Sequence, residues 1–132
     1  MKTFLNDEQR LSVPRSIFGK HFDARIEPDI YAMAQRLSPD YQVGRWNFYL
    51  TERCAFFMAP AIEHDLLVCS NNGYEGVMGS EAFGLTASLY VYSIATLTQV
   101  GALLDSCAQQ FQLLRVHAIK HPDAQEIFQA LE

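Results

Sequence analysis

Trp46-Asn47-Phe48-Tyr49-Leu50, then Ala55-Phe56-Phe57-Met58, Leu66-Leu67-Val68-Cys69 and Tyr74-Glu75-Gly76-Val77-Met78, decide the fold class of this chain. In the first segment Trp46, Phe48 and Leu50 alternate with Asn47 and Tyr49, the period of a strand. Thr51 to Arg53 make a tight connection to the second segment, which Pro60 ends. Asn72-Gly73 signals a hairpin, because both central residues of a type I′ turn need positive φ. Four strands with links this short predict an antiparallel meander of three to four strands, since parallel strands need longer crossovers.

Helical periods flank this block. On the N-terminal side, Ile30, Met33, Ala34 and Leu37 fall on one stripe, with Pro28 and Asp29 suited to a first turn and Ser38-Pro39 to a stop. On the C-terminal side, Ser80 and Glu81 open a helix that runs from Ala82 to Thr98 and is apolar on most sides, so it is expected at the centre of the fold. Gly101 separates it from a stripe of Leu103, Leu104, Cys107, Phe111, Leu114 and Ala118. His121-Pro122 breaks that stripe, and a last short helix carries Ile127, Phe128 and Leu131. The sum is α+β, a single domain over residues 1–132 in which about four helices pack on the meander. Pro14 and Gly19 interrupt any long helix near the start, so residues 1–12 are expected as a loosely ordered N-terminus.

Composition narrows the function. The chain has 132 residues, 49% hydrophobic and 19% charged, which suits one core. The net charge of −5 argues against a general nucleic-acid binder, which would present a basic face. The acids are also too dispersed for a DNA mimic, because duplex DNA carries a charge every ~1.7 Å of axis. Cys54, Cys69 and Cys107 form no CxxC pair, so reduced thiols in a cytoplasmic protein are expected. The N-terminus lacks the apolar core of a signal peptide, and the stretch Ala82 to Val100 lacks basic anchors, so no membrane association is expected.

Few residues point to chemistry. His117 and His121 share a helix face at a spacing that can bind zinc, but no HExxH glutamate lies between them, and His121 suits the helix end. A structural reading is the better one, with no metal and no cofactor. None of the cysteines carries a nucleophile signature; Cys69 and Cys107 are expected to be buried and Cys54 to lie near a turn. The glycines form no phosphate cradle: Gly73 reads as a turn residue, Gly76 as a bulge or close contact, Gly84 as a point where a neighbour packs tightly on a helix. Trp46, Phe48, Tyr49, Phe56, Phe57 and Tyr74 could stack on bases, but core packing is favoured where no basic surround exists. Glu75, Glu81, Asp123 and Glu126 are read as solvated or helix-capping charges that could join a partner surface.

The chain resembles the antirestriction protein family, the ArdB/KlcA group. The resemblance runs over residues 13 to 132 and is carried by Val13-Pro14-Arg15, Phe18-Gly19-Lys20-His21-Phe22, Tyr41-Gln42-Val43-Gly44-Arg45-Trp46-Asn47-Phe48-Tyr49-Leu50, Phe56-Phe57-Met58-Ala59-Pro60, Asn72-Gly73-Tyr74-Glu75-Gly76-Val77-Met78, Glu81-Ala82-Phe83-Gly84-Leu85 and His121-Pro122-Asp123-Ala124. It departs at Val43-Gly44-Arg45, where the family has two glycines before the tryptophan, and at Thr51-Glu52-Arg53-Cys54, where it has Asn-Gly-Gly. Gly79 replaces a family serine. The resemblance implies a non-enzymatic protein of mobile genetic elements that relieves type I restriction of unmodified DNA. Its implied partner is the restriction–modification complex or a host factor linked to it, without strong DNA binding. Trp46, Tyr49, Phe57, Pro60, Gly73, Gly76, Gly84, His121 and Pro122 are the family-motif residues, expected to be scaffold; no catalytic residue is expected. The alternatives are a nucleic-acid-binding module using the aromatics and a small enzyme using a cysteine or the histidine pair.

Overall fold

The computed structural model describes residues 2–132. The elements run β1 (Lys2–Phe4), α1 (Asp7–Phe18), a π-helical segment (Phe22–Ile26), α2 (Glu27–Leu37), β2 (Trp46–Thr51), β3 (Phe56–Pro60), β4 (Leu66–Cys69), β5 (Glu75–Met78), α3 (Ser80–Thr98), α4 (Gly101–Ile119) and α5 (Ala124–Leu131). The class is α+β, and every strand pairing is antiparallel.

The strands divide into two sheets, β1-β2-β3 and β4-β5, instead of one meander. The reason lies at the outer edge of β3. Phe56, Met58 and Pro60 face that edge, because Phe57 and Ala59 turn their backbone groups to β2. Helix side chains fill the place of a fourth strand: Gln110 Oε1 accepts from Phe56 N–H at 2.7 Å, Ser88 Oγ accepts from Met58 N–H at 3.5 Å, and Tyr92 Oη–H donates to Phe56 O at 2.6 Å. Pro60 has no N–H to satisfy, as suits an edge position. An unpaired edge buried among apolar groups would leave each polar group costing on the order of 1–3 kcal/mol. The helices remove that cost, and β3 is buried at all five positions.

Close approach of α3 to β3 requires Gly84. A Cβ there would lie 2.5 Å from Ala59 Cα and nearer still to the Met58 carbonyl. The aromatic core then forms around β2 and β3. Phe22, Phe48 and Phe56 meet edge to face at 5.3 to 5.9 Å, and Tyr49 stacks on Phe57 at 4.9 Å. Trp46 is buried between Tyr31 and Tyr41, with its indole N–H donating to Tyr41 Oη at 2.9 Å. Arg10 closes this corner: its guanidinium donates to Trp46 O at 2.6 Å and lies 4.0 Å over the Phe48 ring.

Of residues 1–12, expected as a loose start, Met1 lies outside the described residues and the others form β1, its link to α1 and the first turns of α1. Asn6 Oδ1 accepts from Gln9 N–H and Gln9 Oε1 from Asn6 N–H, a reciprocal capping box, with Asp7 and Glu8 in the first turn. These signals outweigh Pro14, which lies inside α1. The β4–β5 connection also differs from a two-residue type I′ turn. Ser70 N–H bonds Tyr74 O, leaving Asn71, Asn72 and Gly73 as a three-residue loop in which Gly73 takes φ +93°. Asn72 does not take positive φ, and its side chain ties the loop down: Oδ1 accepts from Tyr74 N–H, and Nδ2 donates to Gln129 O and Ala130 O. The hairpin thereby caps α5. Gly76 stands in regular register opposite Val68 without a bulge, beneath the Tyr74 ring.

Candidate functional site

Titratable groups converge in one polar cleft. It has a volume of about 240 Å³ and is lined by Lys2, Thr51, Glu52, Arg53, Glu81, Leu113, Val116, His117, Lys120, His121 and Pro122. Four elements build it: β1, the β2–β3 turn, the first turn of α3 and the last turns of α4. Glu81 stands at its centre, 2.9 Å from Lys2 Nζ and 2.8 Å from His121 Nε2. Burial pushes the Glu81 carboxyl up, but the bonds from Lys2 and His121 outweigh it and hold it below the usual range.

The two histidines differ in their bonding. His121 Nδ1 accepts from Asp123 N–H at 3.0 Å, so the proton it shares with Glu81 is on Nε2. Both ring nitrogens are thus occupied within the protein, one joining α4 to α3, the other starting the turn into α5. A general base needs a nitrogen free for its substrate, and His121 has none. His117 tilts against Phe57 with ring centroids 5.7 Å apart. Burial is the largest influence on its imidazole and lowers its pKa below the ordinary histidine value. Among the described residues no group of three or more His, Cys, Asp or Glu side chains is placed to hold a metal ion.

The thiols lie apart. Cys107 is buried, and burial pushes its pKa up to about 11, away from the nucleophilic thiolate. Cys69 is exposed, contrary to expectation: β4 turns Leu66 and Val68 inward, so strand alternation turns Cys69 out. Cys54 is exposed at the β2–β3 turn and takes φ +63°, in the left-handed region. Trp46, Phe48, Phe56 and Phe57 are buried and offer no face to a base. Tyr49 and Tyr74 are partly buried. Of the four acids considered for a partner surface, Glu81 is engaged in the cleft, Glu75 is exposed on β5, Asp123 stands at the α5 N-cap and Glu126 lies in its first turn.

A second depression, apolar and about 220 Å³, runs between α2 and α3. Its floor is Ile26, Met33, Val91 and Ala95, and Arg25, Asp29 and Arg36 stand on its rim. No local pattern marks it, because its two walls are the margins of stripes whose centres face the core.

The structure thus defines a small α+β scaffold in which the polar groups around Glu81 hold the elements of their own cleft together. The model of the family "Antirestriction protein" matches residues 39–132, and the chain belongs to the antirestriction protein family. Antirestriction protein KlcA of Escherichia coli is 27% identical, with 96% of this chain and 90% of that protein aligned. YafX of Escherichia coli strain K12 is 31% identical over 96% of this chain and 84% of its own length. A solved structure of the KlcA and ArdB proteins superposes with a TM-score of 0.89 at 28% identity, covering 100% of this chain and 94% of that one. Those proteins are described as having a novel fold and antirestriction activity against type I DNA restriction systems in vivo but not in vitro.

Proposed function

We propose that this protein relieves restriction of incoming unmodified DNA by type I restriction–modification systems, and that it does so by binding, without catalysis. The observation that carries the reading is the match of the whole chain to the KlcA and ArdB fold, at a TM-score of 0.89, in a chain belonging to the antirestriction family. Bonding in the polar cleft supports a non-catalytic role, since both nitrogens of His121 are taken and Cys107 is buried as a thiol. The motif residues Trp46, Tyr49, Phe57, Pro60 and Gly84 serve the β2–β3–α3 junction; Gly73 and Gly76 shape the β4–β5 hairpin, and His121-Pro122 ends α4. They are scaffold in this reading.

The partner is the type I complex or a cellular factor linked to it, met in the cytoplasm where incoming DNA is cut. Activity of the relatives in vivo but not in vitro supports a component that purified restriction enzyme lacks. No helix among the described residues is long and apolar enough to cross a membrane. The dispersed acids and net charge of −5 support a mechanism other than gross DNA mimicry, and burial of the strand aromatics counts against base stacking. Plating of unmodified phage on a type I-restricting host, with and without the protein, tests the function. Expression that raises plating efficiency while host methylation stays intact is the expected outcome; unchanged plating with folded protein present would refute it.

A further inference from the structure

We propose that the groove between α2 and α3 is the docking site for an acidic amphipathic helix of a cellular protein. The proposal rests on the antirestriction reading and gives the partner its chemistry. Three features of the groove combine. The first is its apolar floor of Ile26, Met33, Val91 and Ala95, with Ile94 forming an exposed part of the wall. The second is a pair of exposed apolar residues adjoining the lining residues Thr98 and Gln99 in sequence: Leu97 and Val100, 84% and 83% exposed, at the end of α3 and the turn after it. The third is the state of the arginines on the rim.

Of the seven arginines in the chain, Arg10, Arg15, Arg45 and Arg115 are engaged in hydrogen bonds, ion pairs or ring contacts. Arg25, Arg36 and Arg53 make none among the described residues, and two of these three flank the groove. Arginine beside a desolvated apolar patch is the composition of a binding hot spot. Asp29 stands between them, leaving the rim with a local charge of +1 on a protein of −5. The charge selects a partner bearing carboxylates. Arg36 follows Arg25 by eleven positions, about 16 Å at the helical rise of ~1.5 Å per residue. The complementary helix therefore carries two acids about three turns apart, with one or two leucine-sized side chains between them for the floor. A second copy of this chain is disfavoured because two bodies of net charge −5 repel. DNA offers carboxylate-like charge but nothing for the apolar floor.

The test is made in restricting cells with the full chain carrying a photoreactive benzoylphenylalanine at Thr98, a groove-lining position, compared with the same chain also bearing Arg25→Glu and Arg36→Glu. Ile94→Glu is the second variant, and thermal melting of each purified protein establishes that it folds. The expected result is a crosslink to an acidic helical peptide of a restriction or host protein, lost in both variants, with plating efficiency falling by at least about tenfold. A crosslink to a second copy of this chain, a crosslink that survives both variants, or none at all would overturn the proposal. So would folded variants that relieve restriction as fully as the parent. Should the parent itself relieve no restriction, the functional reading fails, and the groove is then decided by the crosslink alone.

Discussion

His121 Nε2 lies 2.8 Å from Glu81 Oε2, joining the end of α4 to the first turn of α3 across 40 residues of sequence. This bond and the adjoining one from Lys2 to Glu81 tie β1, α3 and α4 at one corner. Because the Glu81 carboxyl is held below its ordinary value, the folded state binds fewer protons than the unfolded state in the acid range. The stability from this group is present above the unfolded carboxylate value, about 4.3, and is lost as pH falls through the lower folded value. Glu81→Gln should therefore flatten the acid limb of the stability–pH curve, measured by urea titration from neutral pH downward. An acid limb identical to the parent's would show that Glu81 is not responsible.

His117 titrates with the same sign through a different cause. Burial lowers its pKa, so between the unfolded value of about 6.5 and the folded value the unfolded chain holds the extra proton. Its contribution is complete above about pH 6.5 and is lost as pH falls through the folded value. His117→Gln should remove that slope, and NMR titration of the imidazole should give a value below that of a free histidine.

Gly84 admits no side chain. A methyl group there meets the backbone of Met58 and Ala59, which cannot move without disturbing β3. Gly84→Ala should cost about 3 kcal/mol, read from the denaturation midpoint at unchanged slope.

Gln110 holds the buried edge of β3 through both ends of its amide: Oε1 accepts from Phe56 N–H, and Nε2 donates to Cys54 O at 3.2 Å. Gln110→Leu keeps the size but leaves the buried Phe56 N–H unsatisfied, a loss of about 2–3 kcal/mol. Hydrogen exchange at Phe56 should quicken by more than exchange at Phe57, whose backbone pairs with β2.

Cys54 is the one described non-glycine residue at positive φ. The family sequence places glycines at this link, and the left-handed region costs an ordinary residue roughly 1–2 kcal/mol. Cys54→Gly relieves that strain and loses part of the gain to the freer unfolded chain, for a net stabilisation of about 0.5–1 kcal/mol. Cys54→Val should destabilise, since β-branching worsens the same conformation. Paired thermal melts measure both.

The sequence carried some of this plainly and hid the rest. The stripe Ile30, Met33, Ala34 and Leu37 is all buried on α2, and the long apolar run became the central α3, because local periodicity reports a face that one element presents to a core. The division into two sheets was hidden. It depends on Ser88, Tyr92 and Gln110, polar groups that interrupt helical stripes and whose partners lie 30 to 54 residues away. At the N-terminus the available signal was the spacing of Asn6 and Gln9, which a reading governed by Pro14 passes over. The cleft was half legible. His117 and His121 both line it, but α4 ends at Ile119, so His121 stands in the turn beyond and shares no helix face with His117; Glu81 and Lys2 reach it only through tertiary packing.

The central claim is tested most directly by the plating efficiency of unmodified phage on a type I-restricting host that expresses this protein, with host methylation monitored in the same cells. The account predicts a rise of orders of magnitude over the empty-vector control while methylation is preserved. Restriction as strong as in the control, with folded protein shown to be present, would contradict it.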